Sequence, residues 1–384
     1  MRDSHRREFL KSAVVGTGWM AALSADPLPS AACGRAEATG ANVPMLHVTD
    51  LYRPHADPDD HWDLACAYAL AYAGDAALEA VLVDHSMRRY GRSLDPDVIG
   101  INQMNYITGL AVPIGVGSGT TMKYRNDVSG AGQWGVRIIH EVLRKSKSPV
   151  IISVLGSSRD VAIAGKKEPS LFTEKCRGIY LNAGTAHSGE VLESNVRRDP
   201  LPYAAIFDLP CPIYWMPCFG RLKPGAEVFD VEEFGTYYRF RQDEILPHLS
   251  KRVRNFFTYM FKQGRFEPEE TPNLAWLDYL LSDGDEKVLQ HQGTLFRNMW
   301  CTAGFFHAVG KTVRKDGEVI PLARAGQDAV FGFEPIRISS TDDGHTEWSR
   351  DDTSHDRFIF RVLSLEDYQP AVTKAMKTLL MTLT

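Results

Sequence analysis

The chain has no Cys-x-x-Cys pair and no His/Cys spacing that would hold zinc. Its six cysteines, Cys33, Cys66, Cys176, Cys211, Cys218 and Cys301, are scattered. The sequence therefore gives no support to a structural zinc site of that kind. No Gly-x-Ser-x-Gly elbow, P-loop or Gly-x-Gly-x-x-Gly stands at a suitable strand end, so acyl hydrolase, NTPase and dinucleotide readings lack support. Blocks of one charge sign are missing too. The net charge of -5 comes from 43 basic and 48 acidic residues interspersed along the chain, which points away from a nucleic-acid backbone or an anionic membrane as partner. Internal repeats and low-complexity tracts are also lacking. What remains is globular composition, 44% hydrophobic and 24% charged over 384 residues, with ample apolar material for a large core.

The N-terminal segment carries the most specific signal. His5-Arg6-Arg7-Glu8-Phe9-Leu10-Lys11 precedes an apolar, small-residue stretch from Ser12 to Leu23 and the run Ser30-Ala31-Ala32. Together these read as a twin-arginine export signal over residues 1–33, cleaved near Ala32, with a linker over 34–43 and one domain over 44–384. Cys33 leaves a lipoprotein alternative open. The expected product is a soluble exported protein, periplasmic or secreted, without stable membrane insertion. Because this route carries folded cargo, stability need not come from disulfides. Cys211 and Cys218 could bridge in an oxidising compartment or remain two buried thiols flanking Pro212–Pro217.

From Met45 the pattern alternates between apolar strands and helices. Strands are expected at Met45–Val48, Leu78–Val83, Val112–Val116, Val150–Leu155, Ile179–Asn182 and Ile213–Met216, with helices at Trp62–Ala73, Asn102–Leu110 and Val136–Lys145. Strands without polar alternation, separated by helices, imply an α/β fold with a mostly parallel, doubly wound sheet covered on both faces. Glu233 to about His307 reads as mostly helical. Phe331–Ser339 and Arg357–Val362 read as a hairpin around a polar loop from Ser340 to His355, and Pro370–Leu380 as a closing helix.

In such sheets ligands bind beyond the carboxyl ends of the strands. Asp50 follows the first strand directly, and Asp57-Pro58-Asp59-Asp60 stands just before the first helix. One aspartate there is explained as a cap. Four within eleven residues repel one another unless a cation neutralises them, and hard oxygen ligands suit Ca²⁺ or Mg²⁺.

Val48-Thr49-Asp50 followed by Asp57-Pro58-Asp59-Asp60 resembles the signature of the nucleoside hydrolases, in which a strand-end Asp and an Asp-Asp pair hold Ca²⁺. Val150 to Ala164, with Leu155 before Gly156, resembles the family's strand, glycine turn and helix. Ile179–Gly184, Glu193-Ser194-Asn195 and Asp199-Pro200 resemble its later strand end, ribose-binding motif and Asp-Pro. The resemblance implies a metal set of Asp50, Asp59, Asp60 and the Leu155 carbonyl, with Asp50 also the general base for a metal-activated water. It implies sugar contacts from Glu193, Asn195 and Asn182, and an oxocarbenium-like transition state. Two places depart from the family. Val83-Asp84-His85-Ser86 lacks its asparagine, and Trp300-Cys301 replaces a His-Asp pair whose Asp closes the calcium site; a thiol is a poor ligand for a hard cation. The implied function is hydrolysis of N-glycosidic, ribosyl bonds in a nucleoside or ribose-like glycoside. A non-catalytic sugar- or nucleoside-binding protein on the same fold is the alternative, and a hydrolase of other glycosides with an altered metal shell is a third. The family's habit suggests a homo-oligomer. His187 and Glu190 are weaker contact candidates; Trp300 and Phe305-Phe306-His307 could roof a pocket, and Asp342-Asp343 with Asp351-Asp352 read as a solvated hairpin tip.

Overall fold

A computed structural model of the protein describes residues 42–51, 58–84, 95–187, 189, 191–223, 225, 229–265 and 275–384. The expected export signal, the linker up to residue 41, and Asp57, His85, Ser86 and Glu190 lie outside the described residues. Strand β1 (Val43–Thr49) sends alternate side chains to opposite faces: Met45 joins one hydrophobic core, Leu46 and Val48 the other. A strand apolar on both faces is stable only where both are covered. Strands β2 (Ala76–Val83), β3 (Ile114–Val116), β4 (Val150–Val154), β5 (Cys176–Asn182) and β6 (Ile213–Met216) run parallel to β1 in the spatial order β3-β2-β1-β4-β5-β6. One face is covered by helices that include Pro58–Tyr72, Lys251–Arg265 and Leu365–Leu380, the other by helices that include Trp134–Lys145, Arg159–Lys167 and Pro200–Ile206. The chain builds outward in both directions from β1, so the crevice between β1 and β4 is the topological switch point.

Two stretches differ from the expectation. Between Glu233 and His307, β7 (Tyr238–Arg241) pairs antiparallel with β8 (Phe296–Met299). Both strands are four residues long and rich in Arg and Asn, which hides them from a search for apolar runs. After the small ribbon of β9 (Lys311–Val313) and β10 (Val319–Pro321), the chain returns to the main sheet. There β11 (Phe331–Ser340) and β13 (Arg357–Val362) pair antiparallel as expected, while the supposed loop between them contains β12 (Thr346–Arg350), paired to the free side of β11. Trp348 anchors β12: it packs on the core of one face, and its indole N–H donates to the Ala186 carbonyl at 2.7 Å. β13 also runs parallel to β6, which extends the sheet to nine strands. Among the described residues no helix is long and apolar enough to cross a membrane.

Candidate functional site

Asp50 is the residue after β1 and is buried at the switch point. It stands directly over the glycine turn after β4: a Cβ on Gly156 would come within 2.8 Å of the Asp50 Cβ, so only glycine fits there. From the first turn of the Pro58–Tyr72 helix, where the macrodipole favours carboxylates, Asp60 reaches the same floor and accepts a bond from the Thr49 hydroxyl at 3.1 Å. Asp50 and Asp60 lie within hydrogen-bonding reach of each other, and Asp84, at the end of β2, is close enough to act on Asp50 electrostatically. Burial pushes the Asp50 carboxyl well above the usual carboxylate range, and the Asp60 and Asp84 charges push it further in the same direction; Arg198 alone opposes them.

Arg198 is the residue that the sequence reading misses. Its Nη1 lies 2.9 Å from Asp50 Oδ2 and 3.3 Å from the Asn195 side-chain oxygen. Both belong to the five-residue helix Ser194–Arg198. Asp199, at the end of that helix, is locked against the β4 turn: its Oδ2 accepts from the Ser157 hydroxyl at 2.7 Å and from Arg159 Nε at 2.7 Å. This clamp brings the Asn195 amide 2.7 Å from the Leu155 carbonyl. The i, i+3 spacing of Asn195 and Arg198 was the available signal, but nothing local tells that the partner is Asp50.

The expected sugar contacts have other partners. Glu193 is buried and caps the Ser194–Arg198 helix, accepting from the backbone N–H groups of Asn195 and Gly184 at 2.8 and 3.0 Å and from the Ser194 hydroxyl at 2.8 Å. Asn182 donates to the Met216 carbonyl and the Thr236 hydroxyl at 2.9 and 3.0 Å and accepts from the Cys301 thiol at 3.0 Å. Burial, with Asp63, Asp60 and Asp59 nearby, drives the Cys301 thiol well above its ordinary pKa. Cys301 is thus a neutral hydrogen-bonding group. No disulfide joins Cys211 to Cys218; both are buried thiols, with Cys211 beside Cys176 and Cys218 beside Asn182.

Asp50, Asp59, Asp60, Leu155, Asn182, Glu193, Asn195 and Cys301 all border one cleft of about 370 Å³. The structure therefore brings together the residues expected to hold the metal and the sugar, whereas His187 packs against Phe234 and Trp348 and is not among the residues lining the cleft. The cleft is also lined by Leu222 and by the aromatic group Phe219, Phe229 and Trp300, with ring centroids 4.6 to 6.5 Å apart, and Arg197, Arg297 and Asn298 complete the lining. Of the weaker candidates, Trp300 is a wall residue; Phe305 and Phe306 are core, and His307 is bonded to the Tyr180 hydroxyl at 2.7 Å.

The donors, as arranged, do not fit a calcium ion. Asp50 holds a guanidinium, the Leu155 carbonyl holds the Asn195 amide, and the closing position offers a thiol bonded to Asn182. Among the described residues no three His, Cys, Asp or Glu side chains gather in a way that could hold a metal.

No family model matches the chain, and no curated protein matches it. Solved structures do. It is similar to an inosine-guanosine nucleoside hydrolase at 12% identity, covering 87% of this chain and 99% of the other, with a TM-score of 0.52. It is similar also to the type III effector protein XopQ, solved in complex with adenosine diphosphate ribose, and to the effector protein XOO4466; each is 13% identical, covers 88% of this chain and 94% of the other, and gives a TM-score of 0.50. The fold is nucleoside-hydrolase-like.

Proposed function

We propose that the cleft binds the sugar of a nucleoside or nucleoside-derived small molecule, and that the Asp50–Arg198 pair takes the position at which the sequence signature implies a cation. The carrying observation is the 2.9 Å contact between Arg198 Nη1 and Asp50 Oδ2. A buried acidic floor needs a counter-charge, and a guanidinium supplies it with fixed, forked geometry. A sugar diol placed there would meet carboxylate acceptors and guanidinium and amide donors, a set suited to vicinal hydroxyls. The aromatic wall offers a face for a heterocycle. Two neighbours of this fold, described as an inosine-guanosine nucleoside hydrolase and as a complex with adenosine diphosphate ribose, share ribosyl chemistry and support the reading. Export through the Arg6-Arg7 signal belongs to the same proposal.

Metal-assisted hydrolysis of a ribosyl bond is the second reading. It is favoured by the retention of Asp50 and Asp60 at the switch point, and it requires Arg198 to leave Asp50. Titration with inosine and adenosine, with chelator or with calcium, separates the two. Binding with chelator present and no release of base supports the first reading. Calcium-dependent release of base would replace it with the second, and no binding of any ribosyl probe would remove both.

A further inference from the structure

We propose that Cys176 and Cys211 form a disulfide when the chain meets a small-molecule disulfide oxidant, a covalent staple at the end of the sheet opposite the cleft; this does not depend on what the cleft binds. Cys176 opens β5, whose last residue, Asn182, borders the cleft, and Cys211 stands just before β6. The backbone around the two is pinned in register. The Thr173 hydroxyl donates to the Pro210 carbonyl at 3.2 Å, and the Ile179 N–H donates to the Pro212 carbonyl at 2.9 Å. Residues on either side of Cys176 thus hold the two prolines that flank Cys211, and each proline fixes its own φ. From β13, Arg357 Nη1 holds the Cys211 carbonyl at 2.9 Å. Both side chains sit in the same hydrophobic core, 5% and 4% exposed, with the two thiols within hydrogen-bonding reach of each other. A disulfide forms where the backbone already holds two cysteines side by side. The segment it would close, residues 176–211, supplies Asn182, Glu193, Asn195 and Arg198, so the staple ties together both ends of the stretch that builds the floor.

The exchange balances in two steps. One protein thiolate attacks the small disulfide and releases one of its thiolates; the second protein thiolate then attacks the mixed disulfide at the protein sulfur and releases the other. Two protein thiols are oxidised, one small disulfide is reduced, and the two protons end on the released thiols. Buried thiols offer little surface to a reagent, so the bond is expected to form much faster during folding than on the folded chain. Incubation of the folded full chain and refolding of the unfolded chain, both in oxidised glutathione, followed by alkylation in denaturant and mass spectrometry without reduction, test this. A peptide pair joined through Cys176 and Cys211 is expected. The oxidised chain should melt roughly 5 °C above the same chain kept in reductant, and the gap should vanish in Cys176→Ala and in Cys211→Ala. The peptide map uses the wild-type chain, so it decides even where an alanine variant fails to fold. Full alkylation of both cysteines after either treatment with glutathione disulfide would overturn the proposal, as would a bond joining either of them to another cysteine.

Discussion

Arg198 and His47 show how much a single side chain decides in this protein. Arg198→Ala would leave Asp50 buried beside Asp60 and Asp84 without the one charge that opposes them; removing one partner of such a pair costs about 1–3 kcal/mol. The variant is expected to melt lower than wild type, and millimolar calcium should raise its melting temperature more than that of the wild type, because a cation can now enter the floor. Equal melting, with no calcium effect in either protein, would show that Arg198 does not close the floor. His47 lies in β1, buried against Phe305 at 5.6 Å between ring centroids, and among the described residues neither ring nitrogen has a hydrogen-bond partner. Burial holds its pKa down at about 3, against 6.5 when exposed. Between those values the unfolded chain takes a proton that the folded chain refuses. Its contribution is therefore complete above pH 6.5 and is lost as the pH falls toward 3, by roughly 1 kcal/mol per pH unit at the steepest. His47→Leu should flatten the melting temperature between pH 6.5 and 4, and an unchanged slope would assign the acid sensitivity elsewhere. Asp50 and Asp60 are legible in the sequence because each is a fixed step from a strand end or helix start, and Leu155 and Asn195 because the motifs around them resemble those of the nucleoside hydrolases. Arg198 is not, because its partner lies 148 positions away.

At the scale of elements, the five-residue Ser194–Arg198 helix is too short to persist on its own intrinsic propensity. It is held by its ends, Glu193 at the start and Asp199 at the finish. Glu193→Ala removes acceptors from the buried N–H groups of Gly184, Asn195 and Val196 and is expected to cost about 1–2 kcal/mol. Glu193→Gln keeps one acceptor and should cost less. If both variants melted like wild type while ligand binding vanished, Glu193 would be a sugar contact after all. Gly184 belongs to the same device: its φ of +86° and the adjacent Tyr203 hydroxyl leave no room for a side chain. β4, β6 and the second half of β5 are easy to find in the sequence because Val150-Ile-Ile-Ser-Val, Ile213-Tyr-Trp-Met and Ile179-Tyr-Leu are almost wholly apolar runs. β7, β8 and β12 are not, since Tyr238-Arg-Phe-Arg, Phe296-Arg-Asn-Met and Thr346-Glu-Trp-Ser-Arg mix charge with one or two anchoring rings.

For the whole molecule, the alternation of buried strands and helices is enough to imply the doubly wound sheet, and the resemblance of three motifs places the cleft at its switch point. Where the C-terminal strands join could not be read, because pairing between β6 and β13 depends on residues far apart in sequence. The N-terminal segment leads to its own test: Arg6→Lys/Arg7→Lys is expected to hold the precursor in the cytoplasm, as shown by fractionation, because the export receptor recognises the paired guanidinium groups. Normal export of that variant would end the twin-arginine reading. The place of β13 between β6 and β11 also sets a timetable for synthesis. The edge of β6 is complete once Met216 has been made, yet its neighbour arrives only with Arg357–Val362. A nascent chain therefore carries an open sheet edge while more than a third of its length is made, and β11, although made earlier, has no place to dock until β13 follows it. Chains stalled on the ribosome before Arg357 should stay as protease-sensitive as unfolded chains, whereas the released full-length chain becomes resistant. A protein that closes its sheet only after its last strands have left the ribosome suits an export route that waits for finished cargo.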